Sequence, residues 1–505
     1  MGRQAWRDLG LGVDLDFQFA GVDDVGAASA LAPVFQEMDA LEAGAIANRD
    51  EGRQVGHYWL RTPDLAPDGR GEEIVRVREL CRTLAASIHA ERRFETALVL
   101  GIGGSALGPQ LVADALAEPD DRLAVRFLDN TDPDGMARVL GRLDLDTTLV
   151  VCISKSGGTP ETRNALIETK AAFDRAGVAF APQAIAVTGE GSGLWTDAEA
   201  WRARVPMWDW IGGRTSVTSA VGLLPAFLQG IDADGLLEGA SRMDAHTRSH
   251  DYETNPAARL AWSWYQLSGA GKNRRALVML PYRDRLLLLS RYLQQLVMES
   301  VGKRYDRDGT EVCAGLTVYG NKGSTDQHAY VQQLRDGPDD HVVTFVQVLD
   351  DGWYGAEDVE PGVDSGDYLQ GLLLGTRRAL HESGHPSITL SLRQLDAVRL
   401  GAVIALHERA VGLFAALINV NAYDQPGVEA GKRAAGDVLA LKPLLLTALA
   451  DGPGTAADLL RRAGRGADVH ELAAAQGLLW RLSVNERGVA VEAGPDSSSD
   501  RFSAR

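Results

Sequence analysis

The stretch "LVLGIGGSALGPQLV", residues 98–112, decides the fold. A short apolar run ends in a cluster of glycines, and helix-forming residues follow. Strand, tight turn and helix in that order open a parallel α/β unit. Gly101, Gly103 and Ala106 also fit the G-x-G-x-x-G/A spacing of a dinucleotide loop. That spacing alone is a weak signal, so the neighbouring strands must decide what the loop holds.

Three further runs follow at α/β spacing: "AVRFLDNTDPD" (124–134), "TTLVVCISKSGGTPET" (147–162) and "QAIAVTGEG" (183–191). Apolar strands alternating with helices imply a parallel sheet covered on both faces. The pattern restarts with "RALVMLPY" (275–282), "AGLTVYGNKG" (314–323) and "VVTFVQVLD" (342–350), with "RLLLLSRYLQQLVMES" (285–300) as a helix among them. The predicted fold is α/β, with two doubly wound parallel-sheet domains at 91–235 and 270–439. A helical N-terminal segment, 1–90, precedes them, and a helical linker, 236–269, joins them. "GTAADLLRRAG", "DVHELAAAQGLLWRL" and "GVAVEAG" predict a small winged-helix-like module at 440–494, with 495–505 as a disordered tail.

The chain has 505 residues and a formal net charge of −18. That balance argues against nonspecific binding to nucleic acid or to an anionic membrane, but not against an anionic small substrate held by local donors. Cys81, Cys152 and Cys313 are scattered and fit a reducing compartment better than a disulfide framework. The N-terminus has no apolar signal region, and the apolar stretch "AVGLFAALINVNAY" is too short to span a membrane. The expectation is a cytoplasmic protein with no membrane or nucleic-acid partner.

The dinucleotide reading has one more support: Asp129 ends the next strand, where a ribose-binding acid could sit. The third strand favours another anion. It runs into "SKSGGTPET", residues 154–162. Thr159 can cap a helix whose first residue is Pro160, and free N–H groups at that helix end suit a phosphate. Ser154, Ser156, Thr159 and Thr162 offer hydroxyls, and Lys155 offers charge. A sugar-phosphate enzyme can use Gly104 and Ser105 to approach the sugar and the second loop to hold the phosphate.

Six motifs in order carry a resemblance: "GIGGSALGP" (101–109), "SKSGGTPET" (154–162), "GGRTSVTSAVGL" (212–223), "QQLVMESVGK" (294–303), "DQHAYVQQLRDG" (326–337) and "DQPGVEAGK" (424–432). In these the chain resembles the phosphoglucose isomerase family, of the sugar isomerase fold. The resemblance implies metal-independent, cofactor-free interconversion of glucose 6-phosphate and fructose 6-phosphate through ring opening and a cis-enediolate. It implies Glu299 as the base and Arg214 as the cation that stabilises the enediolate. It gives Gln295, one turn before Glu299, a part in positioning substrate. His328 and Lys432 would serve ring opening, His328 being supplied by the second subunit of a homodimer. Ser154, Lys155, Ser156, Thr159 and Thr162 would hold the phosphate.

"HESGH", residues 381–385, matches the H-E-x-x-H zinc motif literally. Gly384 and Pro386 beside its second histidine, and the strand-like "SITLSL" after it, read instead as a helix end and turn. Three other readings stay open at this level. They are a broader isomerase that also accepts mannose 6-phosphate, a sugar-phosphate-sensing regulator, and a nicotinamide-dependent dehydrogenase.

Overall fold

The computed structural model describes residues 5–352 and 357–505, with side chains for all of these except 428–430. The chain divides into two compact units, the first ending at Asp424 and the second running from Gln425 to Arg505.

Two sheets build the first unit. The five-stranded sheet runs in the order Ala124–Leu128, Thr96–Leu100, Thr148–Ile153, Ala184–Thr188, Ala203–Pro206. Every pairing in it is parallel. Its centre is dry: all six residues of Thr148–Ile153 are buried, as a strand covered on both faces must be. From Thr96–Leu100 the chain steps outward to Ala124–Leu128, then crosses back and grows the sheet the other way. The two strands at that reversal, Thr96–Leu100 and Thr148–Ile153, lie side by side with Leu100 opposite Cys152. Their carboxyl ends flank the crevice where open α/β sheets bind ligands.

The second sheet has six strands, in the order Ala5–Asp8, Val13–Asp16, Ser387–Leu392, His341–Val348, Ala276–Tyr282, Val318–Tyr319. Its last four strands are parallel, and the first two join antiparallel. The N-terminal segment is therefore not purely helical. Val13 and Leu15 point into the core and Asp14 and Asp16 away from it, the alternation of a strand with one buried face.

The stretch 236–269 is core rather than linker. The helices Ala233–Thr247 and Pro256–Leu267 bury Leu236, Met243, Leu260 and Trp264 with the helix Ala397–Leu417. By length and composition Ala397–Leu417 could cross a membrane, since it continues through Glu408 and Arg409, but 89% of its apolar window is buried inside the protein. Its two buried charged residues, Glu408 and Arg409, are paired: Arg61 meets Glu408 at 2.8 Å and Asp244 at 2.9 Å, and Arg409 pairs with Glu42.

The helices 233–247 and 397–417 touch through backbone. A Cβ on Gly401 would collide with the Leu236 carbonyl, and one on Gly239 with the Val398 carbonyl. Gly401→Ala is therefore expected to lower the unfolding free energy by about 3 kcal/mol, because neither backbone can retreat from a packed core. A urea unfolding curve unchanged from the parent would contradict this packing.

In the second unit the helices Pro426–Ala450, Ala456–Arg462 and Val469–Val484 enclose Leu441, Leu445, Leu460, Leu479 and Phe502. The strands Val489–Glu492 and Arg501–Ala504 pair antiparallel beside them. A boundary at residue 440 would cut a continuous helix, and Lys432 lies on that helix, in the second unit. The tail 495–505 is not disordered. Asp496 caps a short turn at Ser497–Ser499, and fully buried Phe502 anchors the final strand.

Candidate active site

The two loops at the sheet reversal carry the hydroxyl-rich sequences. Gly103–Ser105 forms a single 3₁₀ turn after the strand Thr96–Leu100. After Thr148–Ile153, Ser154 is buried, and its Oγ lies 3.5 Å from Oγ1 of Thr159. Oγ of Ser156 accepts from the Gly158 N–H at 3.2 Å. Thr159 caps the helix Pro160–Ala176 from an extended conformation, with Pro160 at the first position, and its hydroxyl makes no capping bond. The first-turn N–H groups and the positive helix end therefore stay available to an anion. Thr162 is buried one turn in.

Lys155 departs from expectation. Its Nζ donates to the carbonyls of Asp209 at 2.7 Å and Ile211 at 2.9 Å. Two of its three N–H bonds are thus given to backbone, and burial pushes the ammonium down to about 8.

A third loop meets the first. A Cβ on Gly104 would collide with the carbonyl, carbonyl carbon and Cα of Gly213, so only glycine lets the two main chains touch. Oγ of Ser216 bridges them, donating to the carbonyls of Gly213 at 2.8 Å and Gly104 at 3.2 Å.

Arg214 follows Gly213 and is buried. Its Nη1 donates to Oγ of Ser300 at 2.8 Å and to the Ala422 carbonyl at 2.7 Å, and its Nη2 to the Asp424 carbonyl at 2.8 Å. Its Nε lies 3.5 Å from Oε2 of Glu299. Burial lowers the guanidinium's pKa while Glu299 and Asp424 raise it; an arginine so placed remains a cation.

Glu299 ends a π-helical turn, Gln294–Glu299, inside the helix predicted from the sequence. Such turns are frequent at functional sites. Gln295, four residues earlier, donates from Nε2 to Oε2 of Glu299 at 3.4 Å. The same amide nitrogen would lie 3.1 Å from a Cβ on Gly103, so this turn reaches the first loop. The Glu299 side chain keeps 30% of its exposure. It is a carboxylate open to a ligand beside a cation held in place.

Two residues of this cluster were missed in the sequence. Ser300 fixes Arg214, and Lys303 donates from Nζ to the Glu299 carbonyl at 2.7 Å and meets Oδ1 of Asp424 at 3.2 Å. Burial lowers the Lys303 ammonium. Both lie in "QQLVMESVGK" and Asp424 opens "DQPGVEAGK", so the signal was their place inside motifs already singled out.

Among the described residues no hydrogen bond or ion pair ties His328 to Glu299 or Arg214. It ends the turn Thr325–His328, exposed. Asp129 is occupied: Gln110 donates to its Oδ2 at 2.9 Å, and Arg291 lies 3.4 Å from the same oxygen. The helix under "HESGH" ends at Glu382, so the two histidines share no helical face. His381 packs on Phe19, and His385 stacks on His341.

The phosphoglucose isomerase family model matches residues 27–351 and 373–443. The chain belongs to the phosphoglucose isomerase family. Relatives within it include a glucose-6-phosphate isomerase of Geobacter sp. (strain M21), 58% identical over 82% of this chain and 80% of its own. Another, from Geobacter sulfurreducens, is 51% identical over 99% of this chain and 97% of its own. The crystal structure of a glucose-6-phosphate isomerase from Chlamydia trachomatis superposes with a TM-score of 0.80 at 26% identity, covering 87% of this chain and 90% of that one. In this phosphoglucose isomerase family member the Gly103–Ser105 turn and the Glu299 turn meet at Gly213 and Arg214.

Proposed function

We propose that this family member interconverts glucose 6-phosphate and fructose 6-phosphate with the residues assembled around Arg214. One observation carries the reading. A carboxylate, Glu299, stands 3.5 Å from a guanidinium fixed by three hydrogen bonds. Proton transfer between C2 and C1 needs a base at the carbon, and the enediolate it creates needs a fixed cation. The loop Ser154–Thr162 holds the substrate phosphate, and Gly104 with Ser105 faces the sugar. Gln295 orients Glu299 and the substrate. Lys432 and His328 open the ring. Cys81, Cys152 and Cys313 are all free, which suits a reducing, cytoplasmic setting.

Proton NMR of fructose 6-phosphate with the enzyme in D2O tests the reaction. Glucose 6-phosphate carrying deuterium at C2 is expected, since an enediolate exchanges its proton with solvent. No conversion would overturn the reading.

The exposed His328 supports its donation to a second copy in a homodimer. Mixing two inactive variants, His328→Ala and Glu299→Gln, through a cycle of dissociation and reassociation is then expected to restore about a quarter of parental activity, because each two-fold heterodimer regains one intact site. Absence of any recovery would place His328 in its own subunit's site.

A further inference from the structure

We propose that Lys155 acts on the reaction through Arg214: it clamps the segment 209–214 to the phosphate loop and so sets where the guanidinium stands. The inference rests on the reading of Ser154–Thr162 as the phosphate loop and Arg214 as the enediolate cation. It assigns Lys155 the part of a positioning residue.

Lys155 lies between Ser154 and Ser156, the hydroxyls that face the helix end, and its side chain leaves that loop. The ammonium bonds the carbonyls of Asp209 and Ile211. Three residues after Ile211 comes Arg214. Backbone bonds hold this segment elsewhere: the Met207 N–H donates to Thr188 at 2.9 Å, and the Gly56 N–H to the Trp210 carbonyl at 3.1 Å. The Lys155 carbonyl itself accepts from the Gly189 N–H at 3.1 Å. The cation is thus anchored at both ends, to the loop by its own backbone and to the segment by its ammonium.

The far end of Arg214 is equally constrained. Its fork is fixed by Ser300 and the carbonyls of Ala422 and Asp424, and the residue before it touches Gly104. An error at 209–211 therefore reaches either the fork or the Gly104 contact. The Lys155 ammonium is half-buried, and among the described residues no ion pair holds it, so the two carbonyls are what fix its direction.

The test uses Lys155→Met in the full-length enzyme, with inorganic phosphate as a competitive probe of the loop. kcat for fructose 6-phosphate is expected to fall by about 10–100-fold, the cost of a misplaced catalytic group, while the inhibition constant of phosphate stays within about twofold of the parent's. A phosphate constant that rises in step with KM at unchanged kcat would overturn the proposal, making Lys155 a phosphate contact. Unchanged kinetics would overturn it as well.

Trp210 sits inside the strap and stacks on Trp208 at 4.8 Å, so it reports on the segment. In 5-fluorotryptophan protein, the ¹⁹F resonance lost in Trp210→Phe is expected to move in Lys155→Met, while that of Trp480, in the second unit, stays. A stationary Trp210 signal counts against the clamp. Should the methionine variant not fold, Lys155→Ala, which also removes the donor, is read by the same criteria. Thr159→Ala is the control for the underlying reading: if it leaves the phosphate constant unchanged, the loop is not the phosphate site, whatever Lys155 does.

Discussion

Glu299→Gln is expected to lower kcat by about 10³-fold, the usual contribution of a general base, with affinity for inorganic phosphate changed by less than about threefold. The amide keeps the shape of the carboxylate, so the π-helical turn and the approach of Gln295 survive. It loses the ability to take a proton from C2 or C1. Its carbonyl oxygen can take the place of Oε2, which now faces both Arg214 at 3.5 Å and Gln295 at 3.4 Å. Steady-state rates, phosphate inhibition and deuterium uptake at C2, measured together, check this. A variant that turns over within tenfold of the parent would remove Glu299 as the base.

Arg214→Met is expected to cost about 10²–10³-fold in kcat, the loss of one preorganised donor to a developing oxyanion. It carries a second cost in stability. The Ala422 carbonyl loses its guanidinium donor, an orphaned acceptor that costs about 1–3 kcal/mol, while the Asp424 carbonyl keeps the Lys303 ammonium at 3.1 Å. Urea unfolding separates the two effects, because the kinetic loss should persist at temperatures where the variant is fully folded. Parental kcat in a folded Arg214→Met would show that the enediolate is stabilised elsewhere.

Some of this was readable from sequence because its chemistry is contiguous. The hydroxyls of "SKSGGTPET" lie within nine residues at a helix start, and Gln295 and Glu299 are one turn apart. What Arg214 binds was not readable. Backbone carbonyls at Ala422 and Asp424 leave no trace in residue type, since every residue offers one. Lys155 showed its charge but not its direction. The two glycines before Arg214 permit a close approach, but only the three-dimensional contact names Gly104 as the partner. The edge strands Ala5–Asp8 and Val13–Asp16 were missed because four residues carry too little periodicity to distinguish strand from helix. The mistaken linker at 236–269 shows the opposite difficulty. Its helices were visible, but their burial depends on the helix Ala397–Leu417, far along the chain.

The edge pairing has a consequence for how the chain is made. Asp16 lies opposite Thr389, and Val13 opposite Leu392. The hairpin of Ala5–Asp8 and Val13–Asp16 leaves the ribosome well before its partner strand, and its place in the sheet does not exist until residue 392 has emerged. At the usual pace of synthesis that interval is roughly 20–75 s. Until then the edge of Val13–Asp16 that will meet Ser387–Leu392 has no partner, and an unpaired edge is a template for a wrong one. Asp14 and Asp16, on the face of that strand turned away from the core, put charge on it for the wait.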